Sequence, residues 1–362
     1  MLYTFPHTNW FSIFLYNFDL FTKATRWVRL GEEYPDNTLF GTSPTWSDTI
    51  QGGIGNCYMF AGLGALAEFP SLLDNIFLND INDSGIYALR FHIRGKPWII
   101  TVDDETLHVA DDNLFKPHLN NDAQFASIHG DSLWVPIFEK AWAKMKGNYE
   151  ASVGGWTQNP FRALTGAPVF EYWTYEGVGY YDEVTADVLH NRFMAADDLD
   201  YLLGAGTDGS DTGTNECGII AGHAYTMLSV FELKTGETVD HKMYMLRNPW
   251  GIEEPTIPWT SSDEAWTSDY ISQVPLSIDP TTANAEGIFF VESTDFQTCF
   301  QDYHIGHLRD GYDNYWYDEE GDDSRGSEKY TITVPAQQGD LYFSTETYIQ
   351  GTIPRSCTAG GF

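Results

Sequence analysis

Three short segments of this chain carry residues whose types and spacing could do chemistry. The first is Gln51-Gly-Gly-Ile-Gly-Asn-Cys57, followed by a small, apolar run from Tyr58 to Ala67. A thiol in the first turn of a helix sits among backbone N–H groups that lack intrahelical partners, and these favour negative charge. With an imidazolium beside it, such a thiol can fall from a pKa of about 8.5 to roughly 3.5–7.5. Gln51 can hold its side-chain amide beside the sulfur as an oxyanion donor, and the glycines let backbone approach a substrate. A lone cysteine in an apolar helix is usually buried and inert. The other two segments change that reading. They are Gly222-His223-Ala-Tyr-Thr-Met-Leu-Ser-Val230 and Lys242-Met-Tyr-Met-Leu-Arg-Asn248-Pro-Trp250-Gly251. His223 can serve as general base and then as general acid. Asn248 can hold the imidazole in one orientation. Trp250 can shield that hydrogen bond from water, and Gly222, beside the histidine, is grouped with it. Nucleophile, base and orienter together point to acyl transfer through Cys57.

These side chains need elements to hold them. Asn56 is a suitable N-cap for a central helix that starts at Cys57, is apolar on nearly every side, and is stopped by Pro70. The His223 and Asn248 segments alternate as strands, and Lys234-Thr-Gly-Glu237 has turn chemistry between them. They read as an antiparallel hairpin that brings His223 and Asn248 together. Ile86–Val102 reads as a second hairpin, ending at Asp103-Asp104. Asp131-Ser132 opens a helix with Trp134, Ile137, Phe138, Ala141, Trp142 and Met145 on one face, closed by Gly147. Residues 181–203 read as a further helix, with Val184, Val188, Leu189 and Phe193 on one face. From Gly204 to about 296 the pattern is strands with long loops. The expected domains are a leader over 1–21, a helical lobe with the cysteine over 22–202, a strand-rich lobe with the histidine and asparagine over 203–296, and a separate tail over 297–362.

Bulk properties narrow the function. The 362 residues suggest two or three domains, and a hydrophobic content of 42 % indicates a folded rather than a disordered chain. A net charge of −33 disfavours nucleic acid and anionic membrane as partners and would attract basic segments or cations. The aromatic stretch Trp10–Phe21 is too short to span a bilayer and contains Asp19, so no membrane span is expected. The start of the chain has no basic n-region. Cys57, Cys217, Cys299 and Cys357 lack metal-ligand spacing. A catalytic thiolate needs a reduced sulfur, so an intracellular, reducing, cytoplasmic location is expected. The acidic stretch from Asp310 to Asp323 lacks the EF-hand ligand pattern.

The three segments QGGIGNCYMFAGLGALAE, GHAYTMLSV and MLRNPWG resemble the cysteine, histidine and asparagine blocks of the calpains, papain-like cysteine endopeptidases. Val102-Asp103-Asp104, Phe138 to Ala151, and Gly154-Gly155 to Thr165-Gly166 fall in the same order, so the resemblance covers roughly residues 25–296. It implies an α+β, two-lobed papain-like core with the active site in the cleft, Cys57 as nucleophile, Gln51 as oxyanion donor, His223 as base, Asn248 as orienter and Trp250 as shield. The substrates would be proteins, bound extended across the cleft. The family usually carries aspartate before the nucleophile and tryptophan after it, where this chain has Asn56 and Tyr58. Residues 297–362 look like the opening of the β-sandwich domain that follows the core in calpains, without enough strands to complete one. Calpains are usually switched by one calcium ion in each lobe. The matching positions are Asp48 and Asn159 in the first lobe and Glu254, Asp263 and Glu286 in the second. Asn159 and Ile288 stand where the family has acids, so weaker calcium sites are expected, with calcium an activator at most and no cofactor required for the chemistry. Two other functions compete: a protease-like scaffold without turnover, and a Cys-His acyltransferase such as a transglutaminase, which usually uses aspartate as orienter.

Overall fold

The computed structural model describes residues 25–93, 95–109, 126, 128, 130–173, 184–210, 213–253 and 255–309. In the first lobe, β1 (Thr25–Arg29) pairs with β4 (Glu105–Val109), and β2 (Ile86–Ile93) pairs with β3 (Lys96–Asp103), both antiparallel. Around them pack α1 (Leu30–Glu33), α2 (Cys57–Ala67), α3 (Pro70–Ile76), α4 (Trp134–Lys146) and α5 (Gln158–Thr165). The core is built from Met59, Phe60, Leu63 and Leu66 of α2, Leu89 and Phe91 of β2, and Trp134, Phe138 and Trp142 of α4. The Trp134-to-Met145 stripe faces that core as its spacing requires, and Gly147 ends α4 at φ +112°. Pro70 does more than stop α2: it occupies the first turn of α3, where its missing N–H costs nothing.

The second lobe is an antiparallel sheet in the order β5-β10-β6-β7-β8-β9: β5 Val169–Trp173, β6 Leu202–Gly206, β7 Ala224–Thr235, β8 Thr238–Arg247, β9 Ile288–Glu292 and β10 Asp302–Gly306. α6 (Ala186–Asp197) and α8 (Ser293–Cys299) cover one face, burying Leu189, Phe193 and Phe296 against Tyr225, Tyr244 and Tyr303. The other face holds Phe231, Met243, Met245 and Phe290 against Trp259 and Trp266, near α7 (Ser268–Ile271). Both faces are buried along Ala224–Phe231 of β7 and Met243–Leu246 of β8, which explains why those stretches are largely apolar.

The sheet takes in more chain than the expected 203–296. It begins at Val169 and ends at Gly306, because β5 and β10 pair side by side and α6 packs on the sheet rather than in the first lobe. The helix expected over 181–203 runs only from Ala186 to Asp197. Residues 202–206 are strand β6, and Val188 is about half exposed instead of facing the core. The expected tail from 297 therefore starts inside the protease sheet. The leader over 1–21, the rest of the expected tail from 310 with its acidic stretch 310–323, and Cys357 lie outside the described residues. No helix among the described residues is long and apolar enough to cross a membrane.

Cys217 and Cys299 form a buried disulfide that ties the loop before His223 to the end of α8. A reducing compartment implies free thiols throughout, and this bridge departs from that expectation. The same chain holds an oxidised pair and Cys57, which is outside any disulfide.

The two lobes meet where α2 crosses β7, and glycine sets the distance. A Cβ on Gly64 would lie 2.4 Å from Thr226 Oγ1, and one on Gly62 would lie 2.3 Å from Pro160 Cγ. Thr226 Oγ1 instead donates to the Ala61 carbonyl at 2.8 Å, joining β7 to the cysteine helix. Glycine inside a helix costs roughly 0.5–1 kcal/mol relative to alanine, so these two are kept for close approach. We expect Gly64→Ala to lower stability by about 1–3 kcal/mol through overpacking, despite its better helix propensity. It should also lower kcat by shifting Cys57 away from β7. Thermal melts and turnover on one preparation would check both; a stabilised, fully active variant would mean the lobes are not set by this contact.

Candidate active site

The site lies where α2 meets the starts and ends of β7 and β8. Cys57 is the first residue of α2, partly exposed and outside any disulfide. His223 stands just before β7 and Asn248 just after β8. In the pairing of those strands Thr226 faces Arg247, which brings the two residues to one end of the sheet. His223 Nε2 and Asn248 Oδ1 are 2.8 Å apart. The amide orientation of Asn248 follows from its other partners. Oδ1 also accepts from the Trp250 backbone N–H at 2.8 Å, and Nδ2 donates to Glu253 Oε2 at 2.7 Å. Only this orientation gives every donor an acceptor. Asn248 Oδ1 can therefore only accept from the ring, so Nε2 carries the proton.

The Trp250 ring, which is expected to shield the hydrogen bond, lies 4.7 Å from the His223 ring, centroid to centroid, and is tilted 55° to it. The Tyr225 ring meets His223 edge-on at 5.0 Å. Burial, the Glu253 carboxylate and the Cys57 charge push the Tyr225 hydroxyl well above its usual pKa, which puts all three groups around one another. Thr207 Oγ1 accepts from the His223 backbone N–H at 3.0 Å, and the Thr207 N–H donates to the His223 carbonyl at 2.9 Å. Gly222 serves the backbone: it lies at φ +60°, and a Cβ there would come within 2.6 Å of the Gly209 carbonyl oxygen. The histidine can thus be delivered at this angle only after glycine.

Gln51 is buried beside this cluster. Its N–H donates to the Pro249 carbonyl at 2.9 Å, which ties the cysteine segment to the residue after Asn248. Its Nε2 donates to the Ile54 carbonyl at 2.6 Å. Arg247, fully buried, strengthens the same junction. Its Nη1 donates to Thr49 O and Oγ1 at 3.1 and 2.9 Å, its Nε donates to the Glu286 carbonyl at 3.2 Å, and its guanidinium lies 5.5 Å over the Trp46 ring. Burial lowers its pKa to about 10, opposed by the charges of Glu286 and Asp48.

The residues flanking the nucleophile behave differently from expectation. Asn56 occupies the N-cap position of α2, but its side chain makes no capping bond. Its Nδ2 donates to Glu139 Oε1 at 2.7 Å, and burial pushes that carboxyl up to about 7. Tyr58 points into the first lobe, where its hydroxyl donates to the Ser152 carbonyl at 2.9 Å and accepts from Trp142 Nε1 at 3.2 Å. Both side chains are buried and hydrogen-bonded to first-lobe residues, Asn56 to Glu139 and Tyr58 to Ser152 and Trp142.

The candidate calcium ligands make these contacts. Asp48 is buried, and its Oδ2 accepts from the Thr45 N–H at 3.1 Å and from Trp134 Nε1 at 3.0 Å. The charges of Asp48 and Glu286 both act on the buried guanidinium of Arg247. Asn159 Oδ1 accepts from the Trp156 N–H, and the Asp263 oxygens accept from the N–H groups of Trp259 and Ala265. Glu254 lies outside the described residues. Among the described residues no cluster of three or more His, Cys, Asp or Glu could hold a metal ion. Calcium needs about 6–8 oxygen ligands, and the Asp48 and Asp263 carboxylates already accept bonds from within the protein.

Comparison with known proteins places this arrangement. A sequence model of the calpain family cysteine proteases matches residues 3–307. The calpain-type cysteine protease DEK1 of Zea mays is 33 % identical over 269 residues, covering 74 % of this chain and 12 % of that protein. The calpain-type cysteine protease ADL1 of Oryza sativa subsp. japonica is 32 % identical over the same length, with the same shares. Calpain-5 of Mus musculus is 28 % identical over 302 residues, or 77 % of this chain and 45 % of that one. This chain therefore spans less than half the length of each of these relatives. The match runs through the cysteine, histidine and asparagine segments and both lobes of the mixed α+β fold, and the chain belongs to the calpain family of cysteine proteases.

Proposed function

We propose that the chain is a cysteine endopeptidase in which Cys57, His223 and Asn248 act as a triad and Gln51 assists. Cys57 attacks the carbonyl carbon of an extended peptide as a thiolate. His223, protonated, gives its proton to the leaving amine as the C–N bond breaks, leaving a thioester. It then takes a proton from water, whose oxygen attacks the thioester carbonyl, and returns that proton to the departing sulfur. Asn248 holds Nε2 of the ring, so Nδ1 is the nitrogen that exchanges protons. The observation that carries this reading is the His223–Asn248 bond at 2.8 Å, with Trp250 beside the ring, tied to the cysteine segment through Gln51 and Pro249. Asn248 as orienter, in place of aspartate, favours it over the acyltransferase reading. Hydrolysis of casein and of a fluorogenic peptide tests the proposal, together with covalent labelling by an epoxysuccinyl inhibitor. Labelling at Cys57 without hydrolysis of either substrate would favour the scaffold.

We further infer that cleavage depends only weakly on calcium. The support is that the Asp48 carboxylate is committed to Thr45 and Trp134 and that the buried Arg247 guanidinium already interacts with the charges of Asp48 and Glu286. Peptide cleavage titrated against chelator-buffered free calcium should give a flat or shallow curve with activity at zero calcium. A steep rise from no activity at micromolar calcium would overturn this and return Asp48, Asn159, Glu254 and Glu286 to the role of ligands.

A further inference from the structure

We propose that Glu253 is a fourth, positioning member of the active site, holding the Asn248 amide and placing a negative charge behind the His223 imidazole. This rests on the triad reading above. After β8 the chain turns at Gly251, which lies at φ +73° and donates its N–H to the Asn248 carbonyl at 3.0 Å. The turn carries Glu253 back beneath Asn248. There Glu253 is buried, and its Oε2 accepts from Asn248 Nδ2 at 2.7 Å and from the Tyr225 hydroxyl at 3.3 Å. A buried carboxylate bonded to the amide that holds a catalytic base does two things. It fixes which way the amide faces, so that Oδ1 and not Nδ2 meets the histidine. It also favours the protonated ring, because a negative charge nearby stabilises the positive form of a titrating group. The arrangement resembles an acid acting on a histidine with an amide placed between them.

Among the described residues, Tyr225 from β7 meets the His223 ring, Glu253 from the loop after β8 reaches it through Asn248, and Cys57 from α2 is close enough to act on Tyr225. Tyr225 stays neutral across the working range, since burial and both neighbouring charges raise its pKa. The charges that set the histidine are then the thiolate and Glu253. A carboxylate behind the ring raises the pKa of the imidazolium, so the ion pair persists to higher pH. Removing the charge lowers that pKa, and the alkaline limb of the pH profile moves toward neutrality.

Glu253→Gln keeps the shape and an oxygen for Asn248 Nδ2 but removes the charge. Its kcat/KM profile should keep its acid limb and lose roughly one pH unit on its alkaline limb. Glu253→Ala removes the hydrogen bond as well. Its kcat should fall about 10–100-fold with KM little changed, the scale expected for losing a hydrogen bond to a charged group. Glutamine should restore most of the rate at the optimum. The pH dependence of Cys57 alkylation by iodoacetamide, followed by mass on the Cys57 peptide, reads the same imidazolium without any peptide substrate. Absence of hydrolysis by the native chain would thus count against the protease reading, while the alkylation profile would still decide this one. An unshifted alkaline limb in Glu253→Gln by both readouts would overturn the role of the charge. A native kcat in Glu253→Ala would overturn the positioning role.

Discussion

Cys57→Ala is expected to abolish peptide hydrolysis while the fold persists. In a triad whose members act as a unit, removing the nucleophile costs on the order of 10⁶ in kcat, which takes turnover below detection in an ordinary assay. Stability should change by no more than about 1 kcal/mol. The side chain is partly exposed at the start of α2, and alanine is the better helix former. No second thiol among the described residues can substitute, because Cys217 and Cys299 are joined to each other and buried. The measurement is kcat on a fluorogenic peptide beside a thermal melt, with loss of epoxysuccinyl labelling as the control. Substantial turnover in the folded variant would mean that another group is the nucleophile and that the His223–Asn248 pair serves something else.

What could be read from the sequence divides along a physical line. The three candidate positions were legible because each stands at an element boundary that leaves a local mark. Cys57 follows a glycine-rich turn into an apolar helix, and His223 and Asn248 bracket two alternating strands with a turn between them. The α4 stripe was legible for the same reason, since its periodicity lies within one segment. Glu253 was not legible, because it reaches Asn248 only through a left-handed turn at Gly251 that nothing in the residue pattern specifies. Arg247 gave a faint signal, a lone guanidinium at the end of an apolar strand, but its partners Thr49 and Glu286 are set by how the lobes meet. The Cys217–Cys299 bridge spans 82 residues, and four cysteines alone allow several pairings. The extent of the sheet was missed because β5 and β10 are short and pair with each other across more than a hundred residues of chain. Asn56 shows the limit of capping rules. It has the right residue type at the right position, but the buried Glu139 competes for its amide and prevails.

Gln51→Ala is the second large effect, and its signature separates it from the first. The Gln51 side chain is buried and carries two hydrogens on Nε2. One is donated to the Ile54 carbonyl at 2.6 Å, which fixes the direction of the amide. The other is the donor that the oxyanion reading uses. The backbone keeps Gln51 in register with the second lobe, through its N–H to the Pro249 carbonyl, whatever the side chain. Alanine here should therefore remove a transition-state donor without moving the loop. Loss of one oxyanion donor typically costs about 10²–10³ in kcat, and KM should change little, because the donor meets charge that develops only as the carbonyl is attacked. Stability should fall by about 0.5–1.5 kcal/mol for the lost bond to Ile54. Unlike Cys57→Ala, this variant keeps its thiol and should still label with an epoxysuccinyl inhibitor. Gln51→Glu, which exchanges the donor for an acceptor and adds negative charge beside the oxyanion, should be slower still. A change confined to KM in Gln51→Ala would make Gln51 a substrate-binding residue. An alanine variant as fast as the native chain would place the oxyanion donor elsewhere, with the backbone N–H groups at the start of α2 the next candidates.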